Sequence, residues 1–358
     1  MELLKDWFKR SFSDPQVVIL GLFLIFGFAI IIGLGKWLAP MFASIVIAYL
    51  LEAVVSRLHK AGLPRLLAVV IVFLLFITIL LFLTFGLIPI VIRQLTALVQ
   101  QFPSYISQGQ ELLKQLPQSY PQLVSEDQIK VIISQVGQEM AVWGQQALSW
   151  SLSSVASVIG IVVYLVLVPV LVFFLLKDKE LMIGWIANHL PRDRTLVNRV
   201  WVESEAQIAN YVRGKVTEIF IVGAVTYVTL MVLGLDYSAL LATIVGFSVL
   251  IPYVGAAVAT IPIALIAFFQ FGWGWDFGQV IIAYAIIQAL DGNLLVPLLF
   301  SEVVNLHPVA IILAILVFGG LWGFWGIFFA IPLATLVKAV LNAWPRKQHK
   351  PDAPVESG

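Results

Sequence analysis

There is no cysteine anywhere in the chain, which excludes disulfide bonds, thiol nucleophiles and cysteine-bearing zinc sites. Charge is almost as scarce: Asp, Glu, Lys and Arg make up 11% of the residues, against about a quarter in an ordinary soluble domain. The four histidines, His59, His189, His307 and His349, are scattered, and HExxH, GxSxG and phosphate-binding glycine loops are missing. These absences speak against an enzyme, and neither a metal nor a cofactor is expected. A net charge of +1 gives no field with which to hold nucleic acid.

What the chain has instead is apolar surface, 61% of its residues. Apolar runs at 17–35, 37–55, 66–92, 152–176, 216–234, 238–270, 277–300 and 306–341 reach the roughly 20 residues that a spanning helix needs. The expected fold class is an all-α integral membrane protein of about eight transmembrane helices, with lipid as its first partner. The organisation to expect is a three-span scaffold at 1–92, an extracytoplasmic helical insert at 93–150 and a fourth span with a cytoplasmic helical loop at 151–215. A C-terminal transmembrane core with broken helices follows at 216–342, and a disordered tail at 343–358. Lys5, Lys9 and Arg10 precede a first apolar run that continues past Ile32 without a small-x-small cleavage pattern, and it reads as a retained span.

Positive charge sets orientation. Arg57, Lys60 and Arg65 follow the second run; Lys177, Lys179, Arg192, Arg194, Arg199, Arg213 and Lys215 follow the fourth; Arg346, Lys347 and Lys350 close the chain. Both termini are therefore expected in the cytoplasm. The intervening 93–150 is Gln-rich and poor in cations. Its Ile129, Ile132, Ile133, Val136, Met140 and Trp143 recur at helical spacing after a Ser125-x-x-Gln128 capping box, as in an amphipathic connector on the membrane surface, with a lid or an oligomer contact as alternatives. The stretch from Lys177 to Lys215 reads as two helices separated at Pro191.

Asp291 is the sharpest feature, a carboxylate inside the seventh apolar run with Gln288 before it and Asn293 after it. Even the lower scales put an Asp near mid-bilayer at about 2.5 to 3.5 kcal/mol, so a partner, a solute or a proton is expected there. Gln288 and Asp291 share a helix face, and Gly292 and Pro297 loosen the backbone beside them. A cap on a broken helix is the plainer alternative. Glu302, Asn305 and His307 sit at an interfacial turn before Pro308, where His307 is an anchor or a proton relay. Glu52, near the inner end of the second run, reads as interfacial or as a gate.

Pro252 and Gly255 interrupt the sixth run, and Gly319, Gly320, Gly323, Gly326 and Pro332 interrupt the eighth, so both are expected to be broken helices or helical hairpins. "TIPIAL" after Gly255 and "AIPLAT" after Gly326 form a weak internal echo.

Nearly the whole chain resembles the PerM-type permeases of the autoinducer-2 exporter (AI-2E) family. The resemblance is carried by "FSDP" (12–15), "LAP" (38–40), "AYLLE" (48–52), "YLVLVP" (164–169), "FFLLKDKE" (173–180), "YVRGK" (211–215) and "VGFSVLIPYVGA" (245–256). It continues through "IIQALDGNLLVPLLFSEVVNLHP" (286–308) and "FGGLWGFWGIFFAIPLATLVKA" (318–339). It implies a secondary transporter of a small polar metabolite in the bacterial inner membrane, an autoinducer-2-like signal being one candidate, with protons or sodium as coupling ions. It also implies a homo-oligomer, a pentamer being one candidate. Sodium or lithium/proton antiport is the first alternative and a non-transporting scaffold the second. Ser301 and Glu302 stand where many relatives carry glycine and a basic residue.

Overall fold

The computed structural model describes residues 15–119, 154–189, 195–252, 254–300 and 306–343, and no strand occurs among the described residues. Hydrocarbon leaves a backbone two options, helix or closed barrel, and these Leu-, Ile-, Val- and Ala-rich runs take the first. In chain order the helices are α1 (Pro15–Lys60), α2 (Arg65–Phe82), α3 (Ile88–Ser119), α4 (Ser154–Lys177), α5 (Lys179–His189) and α6 (Thr195–Val232). They continue as α7 (Ser238–Ser248), α8 (Val254–Phe271), α9 (Trp275–Leu290), α10 (Val296–Phe300), α11 (Pro308–Phe328) and α12 (Ala330–Ala343). Two π-turns, Leu83–Leu87 and Asp291–Leu295, carry α2 into α3 and α9 into α10 without a break in the helical path.

Six stretches are long and apolar enough to cross a membrane: Trp37–Lys60, Arg65–Glu111, Glu205–Val232, Val254–Phe271, Trp275–Phe300 and Pro308–Phe328. Their large side chains point outward in number, among them Leu74, Phe82, Phe85, Phe220, Ile261 and Leu298. A soluble protein does not expose so much contiguous apolar surface. This is a multi-pass membrane protein. Apolar runs and helices do not correspond one to one, however. The first two runs lie in a single 46-residue helical stretch that includes Pro40. Three apolar helices, Tyr164–Lys177, Ser238–Ser248 and Ala330–Val340, have described parts shorter than a full span.

The chain divides into two compact units. The larger comprises Pro40–Glu180 and Arg213–Leu299 and holds two buried clusters. In one, Ala48 and Val55 of α1 pack on Ala68, Val69 and Val72 of α2 and on Val168, Val172 and Leu176 of α4. The α1 to α2 corner turns at Gly62, whose φ of 105° suits glycine, while amides 61 to 63 bond back to the α1 carbonyls of Arg57, His59 and Leu58. Glu52 sits at this end within 3.5 Å of Arg65 and 3.3 Å of Lys179, so it fastens three helix ends together. In the other cluster, Leu230, Leu241, Val245, Ala259, Ile263, Val280, Tyr284 and Ile287 join α6, α7, α8 and α9. Lipid tails are as apolar as these side chains, so close packing rather than exclusion of water holds this cluster together.

The sixth apolar run is broken as the sequence suggests. α7 ends at Ser248, a short turn passes Pro252, and α8 begins at Val254. Gly255 lies so close to the Ser248 carbonyl that a Cβ there would overlap its oxygen. The smaller unit comprises Met1–Ala39, Leu181–Val212 and Phe300–Gly358. Its eighth run breaks in the same manner: Gly323 takes a φ of 61° inside α11, and a Cβ on Gly326 would overlap the Phe318 carbonyl. Gly319 faces Ile327 and Gly320 faces open space, while Pro332 is buried in α12. Gly255→Ala should lower stability by about 3 kcal/mol, at the upper end of overpacking costs. Gly278→Ala, in α9 with nothing near its Cβ, should gain up to about 1 kcal/mol. Thermal unfolding in detergent checks both, and equal effects would discount the close contact.

Candidate functional site

α9 turns Val280, Tyr284 and Ile287 inward, and Asp291 is the next position of that stripe. The carboxylate therefore continues the bundle-facing surface instead of meeting lipid. Its Oδ1 is buried and finds no hydrogen-bond partner among the described residues; the same holds for Nε2 of Gln288, one turn earlier on the same face. One acceptor and one donor thus stand side by side without a protein partner. Asp291 also opens the π-turn, the kind of irregularity that recurs at functional sites because it re-aims side chains and loosens the hydrogen-bond ladder. Two residues past the turn's end, Pro297 has no N–H to offer the ladder.

Opposite this stripe lies a pair that the sequence reading passed over. Lys215 and Glu218 of α6 form an ion pair at 2.7 Å with side chains 5% and 2% exposed. Lys215 Nζ also donates to the carbonyl oxygen of Val249 at 2.8 Å, just past the end of α7. Geometry explains the reach. Gly223 of α6 and Gly246 of α7 let the two backbones meet, and a Cβ on Gly246 would stand 3.0 Å from the Ile219 carbonyl oxygen. The Asp291 carboxylate is within electrostatic range of Lys215 and of Glu218. Lys215 and Glu218 are buried, and the half-buried Asp291 adds a second carboxylate to their electrostatic surroundings. Tyr284 adds a wall by donating to the Ala256 carbonyl of α8 at 3.2 Å.

The remaining sequence candidates lie elsewhere or play other parts. Asn293 is exposed and donates to the Ala289 carbonyl of its own helix at 2.9 Å. Gly292 faces open space. His307 is the N-cap of α11: its Nδ1 accepts from the Val309 amide at 3.3 Å, with Pro308 in the first turn. Glu302, Asn305 and the amphipathic stretch from Ser125 to Trp143 fall outside the described residues. Lys215, counted in the sequence among the cations that set orientation, is buried within the protein. The available signal was Glu218, a carboxylate three residues on, inside the fifth apolar run.

A cavity of about 280 Å³ between α3 and α8 is lined by Leu98, Phe102, Tyr105, Pro262, Leu265 and Phe269 among others. Its walls are almost wholly apolar, and a polar solute there would lose its hydrogen bonds. The polar cluster of α6, α7 and α9 offers the hydrogen-bonding groups that this cavity lacks.

A family profile described as AI-2E family transporter matches residues 19–346. "Putative permease PerM" of Escherichia coli K12 is 49% identical over 348 residues, 97% of this chain and 99% of that protein. "Putative transport protein YueF" and "Putative transport protein YrrI" of Bacillus subtilis are 30% and 28% identical. Each alignment covers 84% of this chain, with 82% of YueF and 85% of YrrI.

Removing one member of a buried ion pair strands the other, at about 3 to 5 kcal/mol, whereas removing both charges is far milder. Lys215→Met should therefore be strongly destabilising, and Lys215→Met with Glu218→Gln should recover most of the loss. A double-mutant cycle by thermal unfolding in detergent measures this; additive losses would mean that the two side chains do not depend on each other.

Proposed function

This chain belongs to the AI-2E transporter family, and from that premise we propose that it is a secondary transporter that moves a small hydroxyl-bearing solute through the Asp291 site. The observation that carries this reading is the unanswered oxygen of Asp291 beside the unanswered amide of Gln288. A buried polar group without a partner costs about 1 to 3 kcal/mol, more if charged, and such groups persist where a ligand completes them. A hydroxyl donates to the carboxylate while a neighbouring oxygen accepts from the amide. An autoinducer-2-like signal has this chemistry. The α7–α8 break and the π-turn at Asp291 supply the irregular backbone that transporters place at interior polar sites. The setting is a bacterial cytoplasmic membrane with both termini inside, and the N-terminal helices form the scaffold of a homo-oligomer.

Cation/proton antiport is the second reading, and one observation favours it. With all three groups ionised, the Lys215, Glu218 and Asp291 cluster carries an excess of one negative charge, which a monovalent cation or a proton would balance.

Efflux from proteoliposomes loaded with a mixed pool of small polar metabolites, read by mass spectrometry with and without a proton gradient, tests the proposal. Wild type should release one solute selectively, and Asp291→Asn should slow that release at least tenfold. Equal release by both proteins would overturn the assignment. Sodium movement without metabolite release would favour the second reading.

A further inference from the structure

The apolar cavity between α3 and α8 has no part in the solute site, yet its walls are held in place. Leu98 of α3 packs on the buried cluster of α6 to α9, and seven residues later Tyr105 stacks on Phe269 of α8 at 5.0 Å between ring centres. Around these two supports lies about 280 Å³ of space, to which Gly109 and Pro262 add little bulk. Both walls are tied to a third element. Gln94 of α3 accepts from the Leu240 amide of α7 at 2.8 Å, and Gln101 accepts from the Tyr237 hydroxyl. Gln270, near the end of α8, accepts from the Asp236 amide and donates to the Gly234 carbonyl, both at 2.8 Å. An empty space of this kind forfeits the dispersion contacts of its lining, and an apolar one takes up no water. Only apolar matter fills it favourably.

The cavity is continuous with the surface that meets lipid. Its lining residues Phe102 and Leu265 are 41% and 50% exposed, and Val99, Val258 and Ile261 extend the exposed apolar surface along the same two helices. Past the end of α8, Trp273 and Trp275 stand out from the protein, as indoles do where hydrocarbon meets water. Gln110 in the lining and the exposed Ser107 and Gln108 bring polar groups to the same stretch of α3. We propose that this cavity is a lipid site, which takes one phospholipid acyl chain between α3 and α8 while the headgroup stays among the polar side chains of α3. The proposal does not depend on the solute reading. A polar solute would lose its hydrogen bonds in the cavity. An acyl chain exchanges other tails for equally apolar walls, and the packing it completes joins α3 to α8.

The test uses the full chain in detergent with an equimolar phospholipid that carries a photoreactive diazirine on its acyl chain, and cross-linked residues are mapped by mass spectrometry. Labelling should concentrate on Phe102, Ile106 and Leu265. It should reach about five times that of Leu74 and Leu298, which are more exposed, at 59% and 69%, but do not line the cavity. Gly109→Leu from α3 and Leu265→Trp from α8 fill the space from opposite sides, so one remains if the other fails to fold. Each should cut labelling of Phe102 and Ile106 about fivefold and leave Leu298 unchanged. Added phospholipid should raise the melting temperature of the wild type more than that of a filled variant. Labelling that simply follows exposure overturns the proposal; a protein segment in the cavity, from this chain or a second copy, would give that result. Concentrated labelling that a folded filled variant leaves unchanged also overturns it, as do equal lipid-induced shifts, because the tail would then lie outside the cavity.

Discussion

In hydrocarbon every backbone carbonyl must be answered from within the chain, and the Val249 carbonyl is answered by a side chain from another helix. Much of the larger unit follows from that one hydrogen bond. A helix can stop inside a membrane protein only where its freed groups find partners, and Lys215 is the partner. The ammonium in turn cannot be buried alone, which calls for Glu218. The reach from α6 to α7 requires the Gly223 and Gly246 contact, and the turn beyond it requires Gly255 against the Ser248 carbonyl. A polar pair, three glycines and a helix break are one device.

The smaller unit contains a related device without the charges. Gly326 presses on the Phe318 carbonyl as Gly255 presses on that of Ser248, and each glycine is followed within seven residues by a helical proline, Pro262 or Pro332. The strings "TIPIAL" and "AIPLAT" follow these two close contacts. In α11 and α12 the surroundings are aromatic: Phe329 lies 6.1 Å from Trp322 and 4.9 Å from Phe328 between ring centres. Here ring packing joins the backbone bonds from Phe329 N–H to the Trp325 carbonyl and from Leu333 N–H to the Phe329 carbonyl in fixing the turn.

The all-helical membrane fold, the broken sixth and eighth runs and the shared face of Gln288 and Asp291 were legible in the sequence, because each rests on local pattern. Apolar length shows where helices are, and glycine with proline shows where they bend. The site was half legible. Asp291 stands out as the one charged residue in the seventh apolar run. Lys215 was hidden by position: at the edge of an apolar run it resembles the many lysines that merely mark the cytoplasmic side, and its burial depends on α7 folding back onto α6. The extent of α1 was equally out of reach, since neither Gly33 nor Pro40 tells a kinked helix from a turn. His307 reads in the sequence as an anchor or a relay, and in the structure its ring caps α11.

The π-turn at Asp291–Leu295 also sets the angular register of the chain beyond it. An α-helix advances about 100° per residue, so the residue accommodated in this wider turn rotates everything after it relative to the inward stripe of Val280, Tyr284, Ile287 and Asp291. The stripe ends there, and none of the residues from Val296 to Leu299 is fully buried. Between Leu290 and Val296 the number of residues is therefore as constrained as their identity. A one-residue deletion would remove a single side chain yet turn the wrong ones among the rest toward lipid.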